Sequence, residues 1–212
     1  MLRRSFLSRF GGAAALLGFG RQSSPAATPA APKAFEAARH ADDDWLDRIP
    51  GVHRVIFDTW TADKFGDALL FAGNYARTNI DAYKLTDKDF ALVICTRHST
   101  APFAFNDAMW TKYGKHFSQR MEWVDPKTKE PPTTNIYGRQ LANLGKQGMH
   151  FAICSLTTRA YTRLIANATG GKADDVYNEL AANTIAPGHF VPAGVVAVTR
   201  AQERGYAVVA VG

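Results

Sequence analysis

The sequence predicts a three-layer α/β/α domain of the Rossmann-like type, built on a mostly parallel sheet of about five strands. Short apolar runs rich in β-branched residues alternate with longer amphipathic segments from residue 53 onwards. This alternation is typical of parallel strands joined by crossover helices that cover both faces of the sheet. The roughly 175 residues after a low-complexity beginning match the usual size of one domain.

The predicted strands are short runs dominated by apolar and β-branched side chains, which is the composition of buried strands. They are residues 53–60, 90–98, 149–156, 189–192 and 206–211.

The predicted helices lie between these runs and carry apolar residues at helical spacing. They are residues 62–85, 103–117, 136–148, 157–171, 172–183 and 193–205. Asp63 is expected to cap the first helix, and Gly148 and Gly205 are expected to end two others. Residues 123–135 hold three prolines and no periodicity, which predicts a long surface loop.

The first 34 residues predict an export signal. Arg3 and Arg4 precede a short apolar run that is too short to span a bilayer as a helix. The paired arginines, followed by Phe6 and Leu7, resemble the twin-arginine signal, which is read by a machinery that exports folded proteins. The alternative, a basic tail on a cytoplasmic protein, does not explain the Ala- and Pro-rich stretch at 22–34, which suits a cleavage region. The predicted organisation is therefore a periplasmic protein with a signal and cleavage region at 1–34, an N-terminal extension at 35–51 and an α/β domain at 52–212.

The positive charge of the chain comes mainly from this signal. The chain has 25 basic and 19 acidic side chains, and five of the basic ones lie within residues 1–34, where there is no acidic one. The remainder is close to neutral and shows no basic stripe with interleaved aromatic residues, so nucleic-acid binding is not expected. No later segment has the length and apolarity of a membrane span.

Polar side chains follow several predicted strands, at the edge where ligands bind in open parallel sheets. Asp58 ends the first strand, Arg97 and His98 end the second, and Thr157 follows the third. His98 is a candidate acid, base or anion contact, and a role in anchoring the loop is an equal alternative. No phosphate-binding glycine motif, no nucleophile elbow and no metal-ligand spacing occurs, so no cofactor or metal is predicted.

Cys154 is the candidate nucleophile. It ends the third strand and is followed by a predicted helix start, where backbone amides and the helix dipole favour the reactive thiolate form. The alternative is a small buried core residue, because free cysteine is among the most buried residue types. Cys95 lies inside its apolar run and is interpreted as a core residue. Both thiols are expected to be free, because strand cysteines at different sheet positions rarely come within bonding range.

The segment 149–160 (MHFAICSLTTRA), the turn at 191–194 and the stretch at 201–206 (AQERGY) together resemble the DsrE/DsrF-like sulfur-relay family. The resemblance covers about residues 52–212 and identifies an exported branch of that family. It implies a Rossmann-like fold and homo-oligomers, which in this family are often trimers or hexamers. It also implies that Cys154 stands where sulfur-transferring members carry a persulfide. The chain departs from the cytoplasmic members in its export signal and in an insertion at 115–134.

Three functions follow as hypotheses. The first is a periplasmic sulfur carrier or persulfide-type sulfurtransferase, with Cys154 as nucleophile and with Arg97 and His98 steering an anionic sulfur compound. The second is a non-enzymatic exported protein that binds a small ligand or a metal at Asp58, Arg97, His98 and Trp110. The third is a structural subunit in which the aromatic stretch 103–113 packs at a subunit contact.

Overall fold

Five parallel strands form the centre of the structure, a computed structural model that describes residues 36–185 and 187–212. The strands are β1 His53–Thr59, β2 Phe90–Thr96, β3 His150–Cys154, β4 Gly188–Val191 and β5 Ala207–Val211. They lie in the order β4-β3-β2-β1-β5, and every neighbouring pair is parallel. The predicted export signal and cleavage region lie outside the described residues.

Seven helices are present in the described part of the chain. They are α1 Trp45–Arg48, α2 Phe65–Tyr83, α3 Asp107–Met121, α4 Gly138–Lys146, α5 Ser155–Thr169, α6 Ala173–Ala182 and α7 Gly194–Gln202. Gly170 adopts a left-handed conformation with φ 72° and separates α5 from α6. A left-handed glycine is a common end for a helix, because glycine has no Cβ to clash there.

The sheet separates two hydrophobic clusters, because successive side chains of a strand point to opposite faces. Val55 and Phe57 of β1 join the larger cluster, which is covered by helices α2 to α6. Ile56, between them, joins the smaller cluster, which is covered by α1 and α7. Because helices cover both faces of the sheet, the strands are continuous apolar runs and do not alternate between apolar and polar residues. The predicted three-layer α/β/α Rossmann-like fold is therefore confirmed, with a sheet that is entirely parallel.

Residues 37–51, the greater part of the predicted N-terminal extension, pack within the compact unit of the described chain. The compact unit of the described chain begins at Ala37. Trp45, Leu46 and Ile49 are buried in the smaller cluster, and the Tyr206 hydroxyl donates to the Leu46 carbonyl at 2.7 Å. The sequence analysis missed this contribution because a helix of four residues is too short to show periodicity.

Two predicted helix starts differ from the structure. Residues 98–104 form 3₁₀ turns, and α3 begins only after Asn106, whose side chain accepts a hydrogen bond from the Met109 amide at 3.3 Å. Asp63 does not cap α2, because it lies within a 3₁₀ turn at Ala62–Lys64 that precedes the helix.

Two histidines pack beneath α1 at the amino edge of the sheet. His150 Nδ1 lies 2.9 Å from His189 Nε2, and the Trp45 ring stacks on His189 at 4.0 Å between centroids. Burial lowers the pKa of both histidines, and His150 and the nearby Arg48 lower that of His189 further, to about 4. The fold therefore favours the neutral form of this pair.

We expect the free energy of unfolding to fall as the pH is lowered from about 6.5 towards 4. In this window the unfolded chain takes up protons on these histidines and the folded chain does not, and protons that bind only the unfolded state destabilise the fold. Urea unfolding at pH 7.5 and pH 5.0 measures the effect. His189→Gln should reduce the difference in the free energy of unfolding between the two pH values. If the free energy of unfolding falls as much between pH 7.5 and pH 5.0 in His189→Gln as in the parent, His189 is not a source of the pH dependence.

Candidate functional site

The carboxyl ends of β1, β2 and β3 bring most of the predicted site residues together. Asp58 is aligned with Cys95 in the pairing of β1 with β2, and Thr96 is aligned with Ile153 in the pairing of β2 with β3. Arg97 directly follows Thr96 and Cys154 directly follows Ile153, so Arg97 and Cys154 lie side by side at the same edge. These residues are far apart in the sequence, and they come together because their strands are parallel and adjacent in the sheet.

Asp58 and Arg97 form a bidentate ion pair. Arg97 Nε donates to Asp58 Oδ1 at 2.7 Å, and Nη2 donates to Oδ2 at 2.9 Å. The guanidinium also lies 5.1 Å from the centre of the Trp60 ring. These hydrogen bonds raise the pKa of Arg97. Two of the side chains that were predicted to contact a ligand therefore bind one another, and the carboxylate neutralises the charge of Arg97.

Gly194, the first residue of α7, packs directly against Arg97 and Cys95. A Cβ at this position would lie 2.6 Å from Arg97 Cβ and 3.1 Å from Cys95 Sγ. Only glycine therefore allows the start of α7 to approach the end of β2 so closely. The turn at 191–194 is one of the segments that carry the family resemblance, but the sequence analysis did not predict that Gly194 belongs to the site.

Cys154 lies at the start of α5, as predicted. It is the N-cap residue of that helix, and its Sγ accepts a hydrogen bond from the Thr157 amide at 3.4 Å. The residue is only 3% exposed. The sulfur therefore accepts one backbone hydrogen bond, but most of its surface is covered.

Cys95 is a core residue, as predicted. It has no exposed surface and its thiol donates to the Gly194 carbonyl at 3.6 Å. Burial, and to a smaller extent the Asp58 carboxylate, raise the pKa of the Cys95 thiol well above its usual range. Both cysteines are free thiols, as expected. A thiol that stays protonated is a poor nucleophile, so Cys95 is not a competitor of Cys154.

His98 is exposed and begins the 3₁₀ segment after β2. Its φ of 49° is unusual for a residue other than glycine, and such strain is common near functional sites. The backbone amide of His98 donates to Thr157 Oγ1 at 3.2 Å, and its Nδ1 lies 3.0 Å from Ser99 Oγ. His98 and Thr157 thus join the end of β2 to the start of α5.

A cleft with a volume of about 340 Å³ opens beside this junction. It is lined by His98, Ser99, Arg120, Met121, Glu122, Thr157 and Tyr161. The Arg120 guanidinium lies 5.2 Å from the centre of the Tyr161 ring. Cys154 does not line the cleft, and Thr157 is the residue that contacts both. The sequence analysis missed Arg120 and Tyr161, since neither lies at the end of a strand and only the packing of α3 on α5 brings them here.

Trp110 is not at this edge. It has no exposed surface, and its indole N–H donates to the Pro102 carbonyl at 3.1 Å. A side chain that is fully enclosed offers no contact to a ligand, so the structure gives Trp110 a packing role in place of the predicted binding role. The described residues also contain no cluster of three or more side chains with metal-ligating groups. None of the described helices combines the length and apolarity needed to cross a membrane.

The fold and this edge define a Rossmann-like α/β/α protein with a cysteine thiol at the start of a helix. No family model matches the chain, and no curated protein matches it. Among solved structures it is similar to MTH1491 of Methanobacterium thermoautotrophicum, a protein of unknown function. The two sequences are 18% identical, the alignment covers 75% of this chain and 99% of that one, and the TM-score is 0.43.

Proposed function

We propose that the protein is an exported, DsrE-like sulfur carrier that holds a persulfide on Cys154. The observation that supports this proposal is the hydrogen bond from the Thr157 amide to Cys154 Sγ at the first turn of α5. A backbone donor and the positive end of a helix dipole stabilise a sulfur anion, whether it belongs to a thiolate or to a persulfide.

The reaction is a transfer of sulfane sulfur. The Cys154 thiol first loses its proton to solvent, and the thiolate attacks the outer sulfur of a donor such as thiosulfate. A new S–S bond forms on Cys154, the S–S bond of thiosulfate breaks, and sulfite leaves with the bonding electron pair. A second thiolate can then attack the outer sulfur of the persulfide and release the Cys154 thiolate.

The low exposure of Cys154 means that a donor reaches the sulfur only when its surroundings open. His98, which is exposed and whose amide donates to Thr157 Oγ1, lies beside this region. A covered persulfide would be protected from solvent oxidants, which suits the oxidising periplasm that the export signal predicts. Export by the twin-arginine route and assembly into trimers or hexamers belong to the same proposal and rest on the sequence resemblance.

Incubation of the purified protein with thiosulfate or polysulfide, followed by intact mass measurement, tests the proposal. We expect an adduct of about 32 Da, the mass of one sulfur atom, that is removed by a reducing agent. Cys154→Ser should abolish the adduct, and Cys95→Ser should retain it, because Cys95 is fully buried. A protein without the adduct, or an adduct that persists in Cys154→Ser, would exclude Cys154 as the carrier.

The cleft at His98 favours a second function, the binding of a small anion without turnover. Arg120 forms no ion pair with any described residue, so its charge is free to attract an anion. Calorimetric titration with thiosulfate and with phosphate separates the two functions. Saturable binding that is lost in Arg120→Ala, without any mass adduct, would support a binding protein.

A further inference from the structure

A second cavity, with a volume of about 620 Å³, lies between the end of α3 and the loop that follows it. Its walls are largely apolar, and its lining includes Lys115, His116, Ser118, Glu122, Trp123 and Val124. Cys154 and the end of β3 do not line it. This cavity is therefore separate from Cys154, and Glu122 lines both this cavity and the cleft beside His98.

Unpartnered polar groups are concentrated around this cavity. Within residues 36–185 and 187–212, five buried side-chain polar atoms have no hydrogen-bond partner, and three of them belong to residues of this cavity. They are His116 Nδ1, Ser118 Oγ and Trp123 Nε1. Ser118 is 4% exposed and Trp123 is 6% exposed. A buried polar group without a hydrogen-bond partner lowers the stability of the fold, so a cluster of three such groups is unusual in a native protein.

The loop that forms one wall is firmly attached to α3. Asp107 Oδ1 accepts from the Asn135 amide at 2.9 Å, and the Thr111 hydroxyl donates to the Thr133 carbonyl at 2.9 Å. Gly114 lies so close to the Pro132 carbonyl oxygen that a Cβ would clash with it. The loop that contributes Pro131 to the wall is therefore held in place against α3.

We propose that this cavity binds an uncharged, planar small molecule that carries a carbonyl oxygen. An indole N–H can only donate and a serine hydroxyl can donate, so the complementary group on the ligand is a hydrogen-bond acceptor. Lys115 and Glu122 lie at the rim with opposite charges, which favours a ligand without net charge. A volume of this size and largely apolar walls suit a molecule of about two fused rings.

Binding includes a small adjustment of the wall, because the three polar atoms have no exposed surface in the unliganded protein. Trp123 directly follows Glu122, where α3 ends in a left-handed conformation with φ 52°. The wall at Trp123 is therefore attached to the end of a helix rather than to its interior.

Titration with coumarin, followed by the proton NMR signals of the indole N–H groups, tests the proposal. Coumarin has two fused rings, a carbonyl acceptor and no donor. We expect the Trp123 signal, assigned with Trp123→Phe, to shift saturably. The Trp110 signal should remain fixed, because that N–H already donates to Pro102. Naphthalene has the same shape without an acceptor and should bind more weakly.

Ser118→Ala is the decisive variant. Loss of one hydrogen bond should weaken coumarin binding about 2- to 10-fold. The unliganded variant should be as stable as the parent or more stable, because a hydroxyl without a partner is removed. The proposal is wrong if millimolar coumarin leaves the Trp123 signal unchanged, if naphthalene binds as tightly, or if Ser118→Ala binds coumarin as tightly as the parent. None of these outcomes depends on sulfur transfer at Cys154.

Discussion

Replacing Phe103 by alanine is expected to lower the free energy of unfolding by about 3–5 kcal/mol, as is typical for the loss of a large aromatic side chain from a core. Phe103 has no exposed surface. Its ring stacks on Phe65 at 4.7 Å and on Trp110 at 5.5 Å between centroids, and it meets Trp123 and Tyr137 edge-on. The substitution removes these contacts and leaves a cavity that the surrounding rings cannot fill.

Urea unfolding of the parent and the variant measures this loss. Phe71→Ala is the matched control, because Phe71 belongs to α2 and is 45% exposed. A surface substitution of this kind should change the free energy of unfolding by no more than about 0.5 kcal/mol. Equal effects at the two positions would show that the packing around Phe103 contributes little to stability.

Replacing Asp58 by alanine is expected to cost about 3 kcal/mol of stability. The side chains of Asp58 and Arg97 are 12% and 23% exposed, so the variant leaves a largely buried guanidinium without its carboxylate. Gly194 and Trp60 pack closely around Arg97 and restrict its escape to solvent. Removing one partner of such a pair lowers the free energy of unfolding more than removing both partners.

The double variant Asp58→Leu with Arg97→Met should therefore regain most of the stability that Asp58→Ala loses. Lys64→Ala provides the control for an exposed pair, since Lys64 and Asp67 have side-chain exposures of 56% and 47%. That change should cost less than about 1 kcal/mol. Additive losses in the double variant would contradict the interpretation that an unpaired buried charge causes the effect.

The strands and most helices were predictable because their signals are local. Each strand is an apolar run, and a fully covered parallel sheet requires such runs. Gly148 and Gly205 have φ values of 88° and 81°, so both helix ends follow from the backbone freedom of glycine. Cys95 was predicted as a core residue because it lies inside the apolar run of β2.

The starts of α2 and α3 and the role of residues 37–51 could not be predicted in this way. A 3₁₀ turn and an α-helix have similar composition, so the pattern does not show where one becomes the other. Residues 37–51 are held by tertiary contacts, among them the ion pair of Arg204 Nε with Asp47 Oδ2 at 3.2 Å. Trp110 was assigned to a binding site because an aromatic side chain suits both a ligand contact and a core.

The sequence by itself determined the three-layer architecture and the position of Cys154 between a strand and a helix, because the apolar runs and the polar residues that directly follow Cys154 are local signals. Tertiary structure alone decided which side chains meet. Asp58 and Arg97, like His150 and His189, are 39 residues apart, and only the parallel pairing of adjacent strands brings each pair together. The cleft beside His98 and the cavity at Trp123 likewise exist only because of the position in which α3 packs. A cavity is a property of the space between elements, and the order of residues along a chain does not describe that space.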